Sequence, residues 1–501
     1  MKAVLAIDQG TTGTTCLVLD EACRVVGRAY SEFTQFFPQP GWVEHDAAEI
    51  WATSLRVAQA AVQQGKLTDA TIDVVALGIT NQRETIVVWD RKTGVPVGRA
   101  IVWQDRRTAA RCRALKDEGR EEWVRERTGL VLDPYFSASK VEWLLDNTEG
   151  LRARAEAGDL ALGTIDSWLV WNLTAGACHI TDPTNASRTM LYNIDTLDWD
   201  DELLALFNVP RALLPDVRPS SEVYGATAPG LFDKPIAVAG IAGDQQAALF
   251  GQGCYAKGQG KNTYGTGAFL LLHTGDERVA SKAGLLTTVA CGPKGDPQYA
   301  LEGAIFIAGA AVQWLRDGLG IIENAAETRD LARSVDSNDG VYFVPAFVGL
   351  GAPHWDANAR GTIVGLTRGT QRAHLARAAL EAMAYGTADV LRAMESDAGV
   401  VAKALTVDGG GSQNDWLMQF QTDMIQVPVQ RPQMVETTAL GAAGLAGIAV
   451  GVWTSVEDFI GSRPQPTVFE PSISPAERDE LHRGWERAVK TTLHWADLGT
   501  S

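Results

Sequence analysis

The chain opens with two apolar, β-prone runs joined by a turn built largely of Gly and Thr: Ala6-Ile7-Asp8-Gln9-Gly10-Thr11-Thr12-Gly13-Thr14-Thr15-Cys16-Leu17-Val18-Leu19-Asp20. Apolar runs on both sides of such a turn predict a β-hairpin. Gly lets a ligand approach the backbone, and the turn N–H groups and Thr hydroxyls offer donors to an anion. Asp8 ends the first run, where a carboxylate beside a polyphosphate holds hydrated Mg2+. An ordinary hairpin satisfies the same pattern, so the reading depends on matching parts elsewhere.

A second turn of this kind lies in Gly260-Lys261-Asn262-Thr263-Tyr264-Gly265-Thr266-Gly267-Ala268-Phe269-Leu270-Leu271-Leu272. The pair reads as a weak internal repeat, one phosphate-gripping hairpin per half, with a nucleotide between them. Chance similarity of two short turns is the competing reading. At 501 residues the chain exceeds one ordinary core. The repeat divides it into residues 1–250 and 251–501. Strand and helix signals alternate throughout, which predicts an α/β protein. Residues 74–80 and 85–90 read as strands, and residues 47–64, 166–173 and 374–394 as helices. Leu405 to Asp415 reads as a strand, a triple-glycine turn and a helix start, a platform for phosphates or a flat base.

Charge and cysteine usage exclude several classes. With 44 Lys+Arg against 61 Asp+Glu the net charge is −17, and no basic run stands out. A nucleic-acid partner is therefore disfavoured. The six cysteines form no CxxC pair, which argues against a zinc site or a disulfide scaffold and for a cytosolic protein. No signal peptide precedes the first strand. The small-apolar run from Ala439 to Trp453 is shorter than the roughly 20 residues that span a bilayer. It predicts a buried helix packed closely on a sheet, with Thr437 and Thr438 as N-caps.

Taken together, the motifs resemble the carbohydrate kinases with the actin-like (ribonuclease-H-like) ATPase fold. The first is Asp8-Gln9-Gly10-Thr11-Thr12. Others follow across the chain: residues 37–46, Thr80-Asn81-Gln82-Arg83-Glu84-Thr85, residues 103–108, residues 184–189 and Gly243-Asp244-Gln245-Gln246-Ala247. Residues 345–353 and 359–362 continue the match in the second half.

Within that group the similarity is to members that phosphorylate glycerol. The resemblance implies two actin-like ATPase domains with a cleft between them, ATP and Mg2+ as cofactors, a cytoplasmic location and a homo-oligomer, dimer or tetramer. It implies Arg83, Glu84, Tyr135, Asp244 and Gln245 as polar substrate contacts, with Trp103 and Phe269 as an apolar wall. Asp244 is the implied general base and Asp8 the Mg2+ residue. Thr11, Thr12 and Gly13 are the first ATP-phosphate contact, and Thr266 its counterpart. Gly309, Gln313, Gly410 and Asn414 are the further nucleotide contacts.

Residue by residue the chemistry fits: Arg donates in a fixed fork, Glu and Asp accept, and Tyr does both. Asp244 before a helical run also fits a helix N-cap. One position departs from the pattern. Thr15 stands where typical glycerol-phosphorylating members carry an Arg close to the transferred phosphate. That departure keeps a kinase of another polyol or sugar open as the alternative.

Overall fold

A computed structural model describes residues 1–498. Two mixed sheets form its frame, and both follow the same plan. In the first, the strands lie in the order Ser221–Ala226, Ala237–Gly243, Asp73–Asn81, Lys2–Gln9, Gly13–Asp20, Val25–Glu32. Lys2–Gln9, Asp73–Asn81 and Ala237–Gly243 are parallel, and the last two strands turn back as an antiparallel meander.

The second sheet repeats this arrangement. Gln259–Tyr264 pairs antiparallel with Ala268–Gly275, which pairs antiparallel with Pro297–Ile305. On its other side Gln259–Tyr264 runs parallel to Ala404–Asp408, and that strand runs parallel to Val429–Arg431. Thr467–Phe469 and Leu286–Cys291 close the two edges. The two Gly-Thr turns therefore occupy the same place, between the first two strands of each sheet.

Each sheet buries one face under long helices. In the first lobe Leu5, Ile7, Val18, Leu77 and Ile79 pack with Ile50, Val57 and Ala61 of the helix Ala47–Thr68. Asp46 caps that helix, accepting from the N–H groups of Ala48 and Glu49. In the second lobe Leu270, Leu272, Leu405 and Val407 pack with the helix Arg372–Ala398. Alternation along the strands then sends every second side chain to the opposite face, which in the first sheet lies under the helices Thr437–Ala449 and Asp244–Gly251.

The run after Glu436 forms the helix Thr437–Ala449, as the composition predicts, but it lies on the first sheet. Its contact is backbone on backbone. A Cβ on Gly441 would fall on the Ala247 carbonyl oxygen of the neighbouring helix, and one on Gly78 on the Ala442 carbonyl oxygen. The N-cap expectation fails. Glu436 occupies the cap position, with no side-chain cap bond. Thr437 instead donates its hydroxyl to Asp408 Oδ2 of the second sheet, so a tertiary carboxylate takes the group that a local cap would use.

Because no side chain fits between these elements, Gly441→Ala is expected to destabilise the protein by about 1–3 kcal/mol, the usual cost of overpacking. Urea unfolding monitored by circular dichroism measures it as a lower midpoint at an unchanged slope.

Candidate active site

Strand ends and following turns of both sheets converge where the lobes meet. Asp8 sits near the end of the first strand, in register with Thr15 on one side and Thr80 on the other. The Gly-Thr turn beside it is braced from outside. Gln35 Nε2 donates to the Thr11 carbonyl oxygen at 3.0 Å, and Gln35 Oε1 lies 2.7 Å from His45 Nε2. This explains why the 37–46 segment belongs to the site without reaching into it. Thr11 Oγ1 accepts a 2.9 Å bond from Trp103 Nε1, so the phosphate hairpin and the predicted substrate wall are one assembly. Thr12 is exposed, and Gly13 packs tightly under Tyr30.

The predicted polar contacts gather beyond the strand Asp73–Asn81. Glu84 holds a left-handed φ of 63°, uncommon for a residue with a Cβ. Its carbonyl oxygen accepts from Ser137 Oγ and its carboxylate from Arg188 Nε at 2.7 Å. Arg83 is buried, with Nε 3.2 Å from Asp244 Oδ1. Asp244 is the first residue of the helix Asp244–Gly251, with Gly243 at the cap position. It is thus not the N-cap that its sequence position allowed. Oδ1 also accepts from the Gln245 N–H at 2.7 Å, and the carboxylate as a whole stays half-buried. Thr184 Oγ1 accepts from the Gly243 N–H, which ties the 184–189 segment to this corner.

Trp103 and Tyr135 meet edge to face with ring centroids 5.4 Å apart. Phe269 comes from the second sheet, paired with Thr263 and Ala304 on the face turned to the first lobe. Trp103, Tyr135, Asp244, Gln245 and Phe269 are all half-buried, as lining residues of a cleft must be.

Two groups here escaped sequence reasoning. Glu302, from the second lobe, bonds Arg83 through both oxygens at 2.8 and 3.1 Å and Arg188 at 3.2 Å. Burial works against its carboxylate, but Arg188 and Arg83 bring its pKa down to about 2. The second is Lys261, buried in the second sheet beside Gln245. A lone acid in Ala300-Leu301-Glu302-Gly303-Ala304 was the available signal for the first. Burial also pushes the Asp244 carboxyl above its ordinary range, with Arg83 opposing.

A cavity of about 510 Å³ lies in the second lobe beside this cleft. It brings together Thr266, Gly309, Gln313, Gly410 and Asn414, all five predicted from sequence. Gly309 opens the helix Gly309–Asp317, and its N–H donates to the Gly265 carbonyl oxygen at 3.0 Å. Asn414 caps the helix Asp415–Ile425 by accepting from the Leu417 N–H. Between strand and helix Gly409 takes a φ of 80° against the Tyr264 backbone, a place open only to Gly. Leu380, Met383 and Leu417 supply an apolar wall, and Arg316 and Arg329 a cationic rim that sequence reasoning did not assign.

Two lobes of one plan, a nucleotide-sized cavity and a polar cleft with a half-buried carboxylate fit a small-molecule kinase. Residues 3–251 match the N-terminal domain of the FGGY family of carbohydrate kinases, and residues 260–450 match its C-terminal domain. The chain belongs to that family, and its two lobes have the actin-like ATPase fold.

Among its relatives, "Glycerol kinase 2" of Thermotoga maritima is 57% identical over 99% of both chains. The glycerol kinase of Deinococcus radiodurans is 58% identical over 99% of this chain and 98% of its own. The solved structure of Plasmodium falciparum glycerol kinase with ADP superimposes with a TM-score of 0.94 at 36% identity, covering 98% of each chain.

The Trp103–Thr11 bond generates a test. Trp103→Phe keeps an aromatic wall and removes the donor. Loss of a hydrogen bond worth about 1 kcal/mol lowers kcat/KM roughly fivefold, measured by steady-state kinetics on the best substrate.

Proposed function

We propose that this chain phosphorylates glycerol with ATP to give sn-glycerol 3-phosphate and ADP, the first step of glycerol catabolism. The observation that carries the reading is the Asp244 carboxylate. It is half-buried, with Oδ1 held by Arg83 Nε at 3.2 Å and by the Gln245 N–H at 2.7 Å. The names of relatives at 53–58% identity over nearly the whole chain support glycerol as substrate.

Glycerol has three hydroxyls and a short carbon spine. Arg83, Glu84, Gln245 and Tyr135 offer the hydroxyls both donors and acceptors, and Trp103 with Phe269 covers the carbons. Asp244 Oδ2 accepts the proton of the attacking hydroxyl. The new oxygen–phosphorus bond forms as the bond to the leaving ADP oxygen breaks. Thr11, Thr12 and Gly13 hold the phosphates from the first lobe and Thr266 from the second. Gly309, Gln313, Gly410 and Asn414 hold the nucleoside end. Closing the lobes over both ligands keeps water from acting as acceptor.

Mg2+ fits the first hairpin. Burial together with Asp244 and Glu436 pushes the Asp8 carboxyl up to about 7, an excess of negative charge that a divalent cation relieves. Among the described residues no three His, Cys, Asp or Glu side chains converge as ligands. Asp8 would therefore hold the ion together with phosphate oxygens and water. When bound it neutralises charge on the phosphates. No helix of the described residues is long and apolar enough to cross a membrane, which accords with action on a soluble substrate.

Thr15, in register with Asp8, makes the substrate range worth measuring directly. A coupled ADP-release assay across glycerol, dihydroxyacetone, erythritol and xylulose is expected to show turnover highest on glycerol. Preference for another of these would replace glycerol as the substrate. Asp244→Asn should lower kcat by about 10²–10⁴-fold while ATP still binds, and near-normal turnover would remove Asp244 as the base.

A further inference from the structure

Lys261 is a buried cation to which the proposed reaction has given no task. Lys261 lies in the strand Gln259–Tyr264 with no exposure to solvent. Its register places it on the face turned to the first lobe, in a row with Leu271 and Glu302 on one side and Thr406 on the other. Two residues further along the same face stands Thr263, and three beyond that Thr266, the phosphate contact of the second hairpin. Lys261 Nζ donates to Gln245 Oε1 and, at 2.8 Å, to Thr263 Oγ1.

Both of these acceptors are neutral. Asp408, Asp244 and Glu302 act on the ammonium through space, against a burial that lowers its pKa, and none of them hydrogen-bonds it. An ammonium carries three donors, so one N–H remains. A buried charge without a direct counter-ion is costly and is retained where an anion completes it. The surroundings identify that anion. Gln245 follows the general base directly in sequence, and Thr263 leads into the Gly-Thr turn that faces the phosphates. Lys261 is thus held between the residue after the proposed general base and the strand that leads to the proposed phosphate turn.

We propose that Lys261 is a catalytic residue that binds the terminal phosphoryl group of ATP during its transfer. As the bond from phosphorus to the ADP oxygen lengthens and the glycerol oxygen closes, charge spreads over the three equatorial oxygens. Lys261 donates its free N–H to one of them. Its bond to Gln245 serves the same event. By occupying Oε1, it turns the Gln245 amide so that Nε2 faces the cleft as a donor to the substrate. The inference rests on the kinase reading of the site and adds the charge that the second lobe contributes to it.

The test uses the full chain and two variants, Lys261→Met and Lys261→Arg. The parent enzyme is first shown to phosphorylate glycerol, and failure there would sink the kinase reading itself. Given that activity, Lys261→Met is expected to lose about 10²-fold or more in kcat, the usual effect of removing one donor from a developing oxyanion. Its glycerol KM should stay within about threefold. Calorimetry with Mg2+ should show about tenfold weaker binding of a non-hydrolysable ATP analogue and unchanged binding of ADP, since only the triphosphate carries the group that Lys261 meets. Lys261→Arg should recover part of kcat. A kcat for Lys261→Met within about threefold of the parent overturns the proposal. So does equal weakening of ADP and the triphosphate analogue, which would mark Lys261 as structural only.

Discussion

The site depends on one interaction across the two lobes: the Glu302 carboxylate wedged between the Arg83 and Arg188 guanidinium groups. All three side chains are buried, so each would be costly alone. Two arginines from the first lobe require an acid between them, and the second lobe supplies it. The bidentate bond fixes the plane of Arg83, and that plane sends Nε to Asp244. Arg188, held by the same acid, in turn holds the Glu84 carboxylate, and Ser137 holds its carbonyl oxygen. The proposed substrate contacts on one lobe are therefore oriented by a residue on the other, which makes the proposed recognition sensitive to how the lobes sit.

The repeated plan explains why the machinery falls at the junction. Each sheet packs one face on a long helix of its own lobe; the other face of the first sheet is covered by the helix Thr437–Ala449, and that of the second sheet meets Gln245 and Leu249 of the helix Asp244–Gly251. Polar residues of the second sheet then reach the first lobe, Lys261 to Gln245 and Glu302 to Arg83 and Arg188, while Asp8 and Thr15 lie in register on the first hairpin. The helix Thr437–Ala449 binds the arrangement together. It belongs to the second half of the chain and packs on the first sheet, with Thr437 reaching Asp408.

Much of this was legible in the sequence, for reasons that are local. The Gly-Thr turns announce themselves because a tight turn between apolar runs has few alternatives, and the long helices because their periodicity is strong. The triple-glycine turn at 409–411 is legible because one of its positions has the backbone of a residue without a Cβ. The cavity residues Thr266, Gly309, Gln313, Gly410 and Asn414 came from motif resemblance, and the fold brings them to one place.

What was not legible is tertiary. Glu302 and Lys261 are single charges in apolar strands, and only the face-to-face meeting of two sheets shows what they serve. The Thr437 hydroxyl fits a helix cap by local pattern, yet a carboxylate far away in sequence claims it. Asp244 sits one place inside its helix instead of at the cap, with its Oδ1 shared between the Gln245 N–H and Arg83.

Glu302→Gln tests the dependence of the site on this cross-lobe charge most directly, because it keeps the shape and removes the charge. Calorimetric titration of glycerol into the folded variant is expected to show affinity reduced by about tenfold or more, with ADP affinity within about twofold of the parent. Glycerol affinity equal to that of the parent would contradict the account, since Arg83 would then be oriented without the second lobe.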